Sequence, residues 1–187
     1  MTVGFALCGS FCTVGEALQQ MKRLAAEYEI RGIVSERVFS TDTRFQTAGE
    51  VLASIREITG REVIHDIVGA EPLGPKEVLD ALVICPCTGN TLAKMANGIT
   101  DTAVTMAAKA HLRSNRPLVI ALASNDALSA NLQNIGTLLT RKSIYFVPMR
   151  QDDPTRKPHS LVADFSLLVP TLAAALAGRQ PRPIFLE

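Results

Sequence analysis

The strongest constraint on the fold is an alternation of short apolar runs with helical patterns along the whole chain. Each run is too short for a helix and lacks the polar alternation of a half-exposed strand, as is typical of parallel strands buried on both faces. Strands joined by helices form right-handed βαβ units, so we predict an α/β fold with a three-layer, doubly wound parallel sheet of the Rossmann or flavodoxin type. The five predicted strands span residues 3–8, about 32–39, 81–85, 118–122 and 143–147.

The segments between the runs are amphipathic helices or loops. In the first helix Val14, Leu18 and Met21 recur at three- and four-residue steps, and a last helix is predicted from about residue 161 to residue 176. A chain of 187 residues suits one well-filled core, so residues 1–187 are predicted to form a single domain.

Two longer segments have no clear periodicity and are predicted to be loops. They run from Gly60 to Lys76 and from Pro148 to Ser160. The second is rich in charged residues, and two interpretations stay open for it, a clamp over a ligand or a solvated charged loop.

Composition excludes several classes of function. The net charge is +1 and no run of Lys or Arg occurs, which argues against nucleic acid or an anionic membrane as partner. The longest apolar run, residues 167–177, contains Pro170 and falls short of the ~20 residues that span a bilayer. No transmembrane segment is therefore expected.

The four cysteines are spaced as C-x₃-C and C-x-C, and the three histidines lie far from both pairs. A zinc site needs four converging ligands, so no metal site is predicted. The cysteines lie at the ends of apolar runs and no cleavable leader precedes them, which favours a reducing cytoplasm.

Short polar turns follow four of the predicted strands. The carboxyl ends of parallel strands meet at one edge of the sheet, where ligands bind, so we expect the turns to build one pocket for a phosphate and a ring. The usual dinucleotide motif G-x-G-x-x-G and the P-loop motif are absent, and FMN therefore fits better than NAD or ATP. The turns are Gly9-Ser10, Ser40-Thr41, Pro86 to Thr91 and Ser124-Asn125. For the second turn an alternative stays open, a cap for the helix that follows.

The stretch from Pro86 to Asp101 resembles the Pro-Ala-Ser-Ala-Asn-Thr signature of the homo-oligomeric flavin-containing cysteine decarboxylase superfamily, with its following Lys-x-Ala-x-Gly-x-x-Asp. The chain is similar nearly end to end to one branch of that superfamily, whose members take part in dipicolinate formation. The segments that carry this similarity are residues 8–10, 40–45, 70–76, 125–128 and 151–154.

The resemblance implies a flavoprotein that binds FMN at the boundaries between protomers of a trimer or larger homo-oligomer. It implies oxidation of a dihydrodipicolinate-type ring in the mother cell of a spore-forming bacterium, together with a partner protein that carries NAD(P). The positions that match flavin-binding residues are Gly9, Ser10 and Ser40 for the phosphate, Pro86, Thr88, Gly89, Asn90 and Thr91 for the ring and ribityl chain, and Ser124 and Asn125 after the fourth strand.

A dicarboxylate substrate needs cations, and Arg44 and Lys157 are predicted to bind it from loops at the strand ends. Other loop cations, Lys76, Arg150 and Arg156, are weaker candidates, and a solvated surface cation is the alternative for each.

Two departures from the superfamily pattern keep other functions open. Thr88-Gly89 replaces Ser-Ala in the signature, and Pro72 lies near the position where decarboxylating members carry a catalytic histidine. The alternatives are a flavin-dependent decarboxylase or prenyltransferase of the same fold, and a non-catalytic partner protein that has lost its flavin. The identity of a catalytic residue stays unknown at this point.

Overall fold

A parallel sheet of five strands forms the centre of the computed structural model, which describes residues 1–74 and 76–187. Their spatial order is β2, β1, β3, β4, β5, and each pairs with its neighbours in parallel. The chain runs outward from β1 to β2 and then crosses back to β3, so the order reverses between β1 and β3. The strands are β1 (Thr2–Leu7), β2 (Glu29–Val34), β3 (Ala81–Cys87), β4 (Leu118–Ser124) and β5 (Ile144–Phe146).

Two short strands extend the sheet at the carboxyl end of β4. These are β6 (Met149–Arg150) and β7 (Leu161–Ala163). Strand β7 pairs antiparallel with Ala123 and Ser124 of β4, and β6 pairs antiparallel with β7. The first half of β4 therefore lies beside β5 and its last residues lie beside β7, so the sheet is mixed with a parallel majority.

Helices flank the sheet. Helix α1 packs against α3 and α8, while α5 packs against α6 and α7. The helices are α1 (Val14–Ala25), α2 (Glu36–Ser40), α3 (Ala48–Thr59), α4 (Ile67–Ala70), α5 (Gly89–Ala96), α6 (Ala103–Leu112), α7 (Leu132–Leu139) and α8 (Leu168–Leu176), and 3₁₀ turns at Phe11–Thr13 and Phe165–Leu167 lead into α1 and α8.

The sheet is buried on both faces, which explains the continuous apolar runs. Every residue of β3 and β4 is buried, and β1 is buried from Val3 onward. Each Å² of apolar surface that these strands remove from water stabilises the fold by about 25 cal/mol. The α/β prediction with a doubly wound parallel sheet is confirmed in its main features, and the antiparallel pair β6 and β7 is an addition to it.

The predicted second strand, residues 32–39, is wrong in its position. Strand β2 ends at Val34, and the Ser35 hydroxyl accepts a hydrogen bond from the Val38 amide at 3.4 Å. This cap begins α2, so the apolar residues Val38 and Phe39 belong to a helix rather than to the sheet.

The predicted final helix is too long. Residues 161–163 form β7, and α8 begins only at Leu168, after a 3₁₀ turn whose cap is Asp164. The carboxylate of Asp164 accepts hydrogen bonds from the amide and the hydroxyl of Ser166. The short run 161–163 has too few residues for its period to separate strand from helix.

The segment from Gly60 to Lys76 contains the short helix α4, and Pro75 within it lies outside the described residues. His65 stacks on Phe39 with ring centroids 3.8 Å apart. None of the helices within residues 1–74 and 76–187 is long and apolar enough to cross a membrane. The same part of the chain holds no cluster of three His, Cys, Asp or Glu side chains that could bind a metal ion.

Candidate functional site

A cleft of about 720 Å³ lies at the carboxyl edge of the sheet, where β1, β3 and β4 end. Its position matches the topological switch point between β1 and β3, where open α/β sheets bind ligands. Its volume falls in the range of about 300–1,000 Å³ typical of small-molecule sites. The turns after the three strands line it, together with residues from the loops around 44 and 157.

The turn after β1 contributes Gly9 and Ser10 and leads into the helix that begins at Phe11. The hydroxyl of Ser10 accepts a hydrogen bond from the Thr13 hydroxyl at 3.2 Å and donates to none of the described residues. Its proton is therefore available to a ligand. The first N–H groups of this helix have no acceptor within the helix and carry the positive end of its dipole, as an anion site requires.

The turn after β3 begins α5. Thr88 caps the helix by accepting a hydrogen bond from the Thr91 amide at 3.3 Å. The amides of Gly89 and Asn90 are the first of the helix and have no intrahelical acceptor. The carboxamide of Asn90 is exposed and makes no hydrogen bond to the described residues. This turn therefore presents N–H groups and a free amide side chain to the cleft.

Cys8 is buried beneath the turn after β3 and forms hydrogen bonds with residues on both sides of that turn. The Thr91 hydroxyl donates to the Cys8 sulfur at 3.3 Å, and the Cys8 amide donates to the Pro86 carbonyl at 3.1 Å. Complete burial raises the pKa of the Cys8 thiol to about 11, although the hydrogen bond from Thr91 opposes the shift. Cys8 is therefore a neutral structural thiol at physiological pH rather than a nucleophile.

The turn after β4 holds a polar cluster. The Ser124 hydroxyl donates to Oδ1 of Asp126 at 2.5 Å, Asn131 Nδ2 donates to the same oxygen at 2.9 Å, and Asn134 Nδ2 donates to Asn131 Oδ1 at 3.0 Å. Ser124, Asn131 and Asn134 are buried, whereas Asp126 is half-buried and lines the cleft. The hydrogen bond from Ser124, followed by that from Asn131, holds the pKa of the Asp126 carboxyl below its usual range.

Gly89 brings the turns after β3 and β4 into contact. A Cβ at residue 89 would lie 2.6 Å from Asn131 Nδ2 and 2.8 Å from Asp126 Oδ1, and closer still to the Ser124 hydroxyl. The polar cluster therefore occupies the place of a side chain at position 89. The glycine does not widen the cleft, because the space left by the missing methyl group is filled.

Two cations line the cleft from its outer side. The Arg44 guanidinium lies over the ring of Phe45, 4.8 Å from its centroid, and both residues are exposed. The Lys157 ammonium pairs with Asp152 at 2.6 Å, which lowers the pKa of the Asp152 carboxyl and raises the pKa of Lys157. Arg44 forms no ion pair within the described residues.

Most of the residues predicted for the site do line one cleft. Those that do are Gly9, Ser10, Arg44, Thr88, Gly89, Asn90, Ser124, Asn125 and Lys157. The carboxamide of Asn125, like that of Asn90, makes no hydrogen bond to the described residues.

Three predicted residues do not line the cleft. Ser40 ends α2, where its hydroxyl donates to the Glu36 carbonyl at 2.8 Å, because β2 already ends at Val34 and the helix that follows carries Ser40 past the edge of the sheet. Pro86 is buried within β3, and Thr91 is buried beneath Thr88. Pro86 and Thr91 therefore support the site, whereas Ser40 lies away from it.

The residues that sequence reasoning missed are Asp126 and the asparagine that holds it. The signal for Asp126 is present, since an acidic residue follows Ser124-Asn125 directly after a buried strand. Asn131 has no such signal, because its contact with residues 89 and 126 depends on how α7 packs beside α5. Phe11, Cys12, Thr13, Glu16 and Val162 also line the cleft.

The residues of the cleft suit a flavin mononucleotide. Two helix N-termini and the Ser10 hydroxyl offer donors for a phosphate, and the carboxamides of Asn90 and Asn125 offer polar contacts. The side chains of Phe11 and Val162 add apolar surface of the kind that a planar ring covers. None of the described residues that line the cleft is a histidine.

Comparison with known proteins places these features in a family. The family model described as Flavoprotein matches residues 1–164. The chain is 47% identical over 186 residues to the dipicolinate synthase B subunit of Bacillus subtilis strain 168, covering 99% of this chain and 93% of the relative.

Solved structures of related proteins have the same fold as this chain. The crystal structure of the dipicolinate synthase B subunit from Bacillus halodurans superposes with a TM-score of 0.91 at 45% identity and covers 100% of this chain and 96% of the other. The FMN-dependent cysteine decarboxylase SpaF shares the fold, with a TM-score of 0.71 at 23% identity over 95% of this chain and 97% of that one. The chain therefore belongs to the Flavoprotein family and, within it, to the group of dipicolinate synthase B subunits.

Proposed function

We propose that this chain is the flavin-binding component of a two-component dipicolinate synthase and that its cleft binds FMN together with a dihydrodipicolinate-type dicarboxylate. The observation that carries the proposal is the convergence of the polar turns after β1, β3 and β4 on one cleft at the switch point of the sheet. The similarity to the dipicolinate synthase B subunit of Bacillus subtilis supports the substrate class.

In this proposal the FMN phosphate is held by the turn at Gly9 and Ser10 and by the helix N-terminus at Phe11. Thr88, Gly89 and Asn90 contact the rest of the cofactor, with Ser124 and Asn125 on the side of β4. Bound there, a flavin supplies a two-electron acceptor that takes a hydride from a ring held close to it. The task of the protein residues is to orient the dihydropyridine ring and to exclude water.

The substrate carboxylates are assigned to Arg44 and Lys157. Both side chains line the cleft, and the guanidinium of Arg44 is available because no carboxylate of the described residues pairs with it. A bidentate contact of Arg44 with one carboxylate gives orientation as well as affinity. We expect Arg44→Ala to weaken substrate binding at least about tenfold, in line with the loss of a charge-assisted contact. Arg156→Ala, outside the cleft, is the matched control.

We further propose a partner, an oligomeric state and a cellular setting for this chain. The partner is the dipicolinate synthase A subunit, which carries the NAD(P) site, and this chain forms a trimer or larger homo-oligomer. The enzyme works in the cytoplasm of the mother cell of a sporulating bacterium.

Two measurements on the purified chain test the proposal. The visible absorption spectrum and the release of FMN on denaturation report whether flavin is bound, and turnover of dihydrodipicolinate with and without the partner protein reports the activity. The proposal expects a yellow protein whose turnover requires the partner. A colourless protein that still activates the partner would identify a non-catalytic component instead, and decarboxylation or prenyl transfer by the isolated chain would identify one of the other activities of this fold.

A further inference from the structure

Asp126 presents an unneutralised negative charge to the cleft. Its two side-chain donors, Ser124 and Asn131, are both neutral, and both bind Oδ1. No Lys or Arg of the described residues forms an ion pair with Asp126, whereas Asp152 on the same cleft pairs with Lys157. Oδ2 of Asp126 accepts no hydrogen bond from any residue in the described part of the chain, so it keeps its acceptor capacity for a ligand.

Three neighbouring residues fix the position of the Asp126 carboxylate. Ser124 is held in the sheet by its pairing with β7, and Asn131 is buried and held in turn by Asn134. The third residue is Gly89, whose missing side chain leaves room for Asp126 Oδ1 against α5. A carboxylate fixed in this way cannot turn away from a ligand in the cleft without breaking two hydrogen bonds.

A fixed carboxylate weakens the binding of a substrate whose charged groups are all negative. Two carboxylates on a ring would be repelled by Asp126 even while Arg44 and Lys157 attract them. A ligand that also carries an N–H donor turns this repulsion into a charge-assisted hydrogen bond. A substrate ring that carries an N–H group between its two carboxylates would make this hydrogen bond to Asp126.

We propose that Asp126 is a specificity-determining residue that accepts a hydrogen bond from the ring N–H of a cyclic enamine or protonated imine bearing two carboxylates. This inference rests on the proposed function, because it assumes a dicarboxylate ring in the cleft. It extends that function by naming the group that distinguishes substrate from product. When the ring is aromatised, a hydride leaves a ring carbon for the flavin of the proposed function and the N–H proton passes to solvent. The ring nitrogen then presents a lone pair to Asp126, so the oxidised ring binds more weakly and is released.

A matched pair of ligands tests the inference on the full-length chain. Piperidine-2,6-dicarboxylate carries a protonated ring nitrogen, and cyclohexane-1,3-dicarboxylate has carbon in its place. Titration calorimetry of the wild-type protein should show a preference for the nitrogen compound of roughly ten- to a hundredfold, the range of one hydrogen bond to a charged group. Asp126→Asn should reduce this preference to less than about threefold, and Glu57→Gln, which removes one negative charge from the exposed face of α3 outside the cleft, should leave it unchanged.

The outcomes separate this inference from the proposed function. If the wild-type protein binds neither compound, the dicarboxylate site and the proposed function are wrong. If it binds both compounds equally well, or if Asp126→Asn keeps the preference, the role of Asp126 is wrong while the dicarboxylate site stands. Should Asp126→Asn be recovered unfolded, Asp126→Ser removes the charge and keeps a small polar side chain at this position, and the same two titrations decide.

Discussion

Replacing Gly89 by alanine should destabilise the protein, although the change favours a helix in general. The added methyl group would lie 2.6 Å from Asn131 Nδ2 and 2.8 Å from Asp126 Oδ1, with the Ser124 hydroxyl closer still. The polar cluster must move, and the hydrogen bonds from Ser124 and Asn131 to the Asp126 carboxylate are then weakened or broken. Together these two bonds contribute about 3–6 kcal/mol to the free energy of unfolding. Against this, the loss of glycine flexibility in the unfolded chain returns about 0.4–1 kcal/mol.

The net loss is therefore about 2–5 kcal/mol of unfolding free energy, or roughly 4–20 °C in Tm for a chain of this size. Urea unfolding followed by circular dichroism, at fixed protein concentration, measures it. Gly15→Ala is the control, because a Cβ at that position in α1 meets no atom within 4 Å, and we expect it to stabilise slightly. If Gly89→Ala unfolds at the same urea concentration as Gly15→Ala, the polar cluster does not occupy the place of a side chain as described.

Three further predictions concern the same edge of the sheet. Thr88→Ala removes the cap of α5 and should lower the unfolding free energy by about 1 kcal/mol, whereas Thr88→Ser, which keeps the hydroxyl, should cost little; equal losses in the two variants would contradict the cap. Under native conditions a thiol reagent should modify Cys12, which is exposed, and should spare Cys8, whose pKa is raised to about 11 by burial; rapid modification of Cys8 would show that it is accessible. Because the pKa of the Asp126 carboxyl is lowered in the folded state, its contribution to stability is present above the unfolded pKa of about 3.9 and is lost as pH falls through the folded value. Asp126→Asn should therefore be less stable than wild type at pH 7, and the difference should shrink below about pH 4; a constant difference would contradict the ionised cluster.

The fold could be predicted from the sequence because its strands are buried on both faces. Every residue of β3 and β4 is buried, so the apolar runs that mark them survive without interruption. The prediction failed where local capping competes with a short apolar run, since the Ser35 hydroxyl begins a helix that contains Val38. It also failed at residues 161–163, which are too few to show a period.

The part of the site that follows from the order and direction of the strands was predictable. Turns after parallel strands meet at one edge, and this rule places Gly9, Thr88 and Ser124 in one cleft. The polar cluster was not predictable, because Asn131 reaches Asp126 from the start of α7, and the packing of α5 beside α7 determines this contact. The place of Ser40 was missed for a related reason, since β2 ends at Val34 and Ser40 lies at the far end of the helix that follows.

The antiparallel strands β6 and β7 let the loop between them vary without disturbing the rest of the sheet. The two strands hold residues 151–160 between them, and this loop carries Asp152 and Lys157 over the cleft while both of its ends are tied to the sheet through β7. A segment held at both ends in this way can change in length and charge while the strands that carry the turns of the cleft keep their register. Grafting the corresponding loop from a relative with another substrate should then alter ligand preference and leave the stability of the sheet nearly untouched.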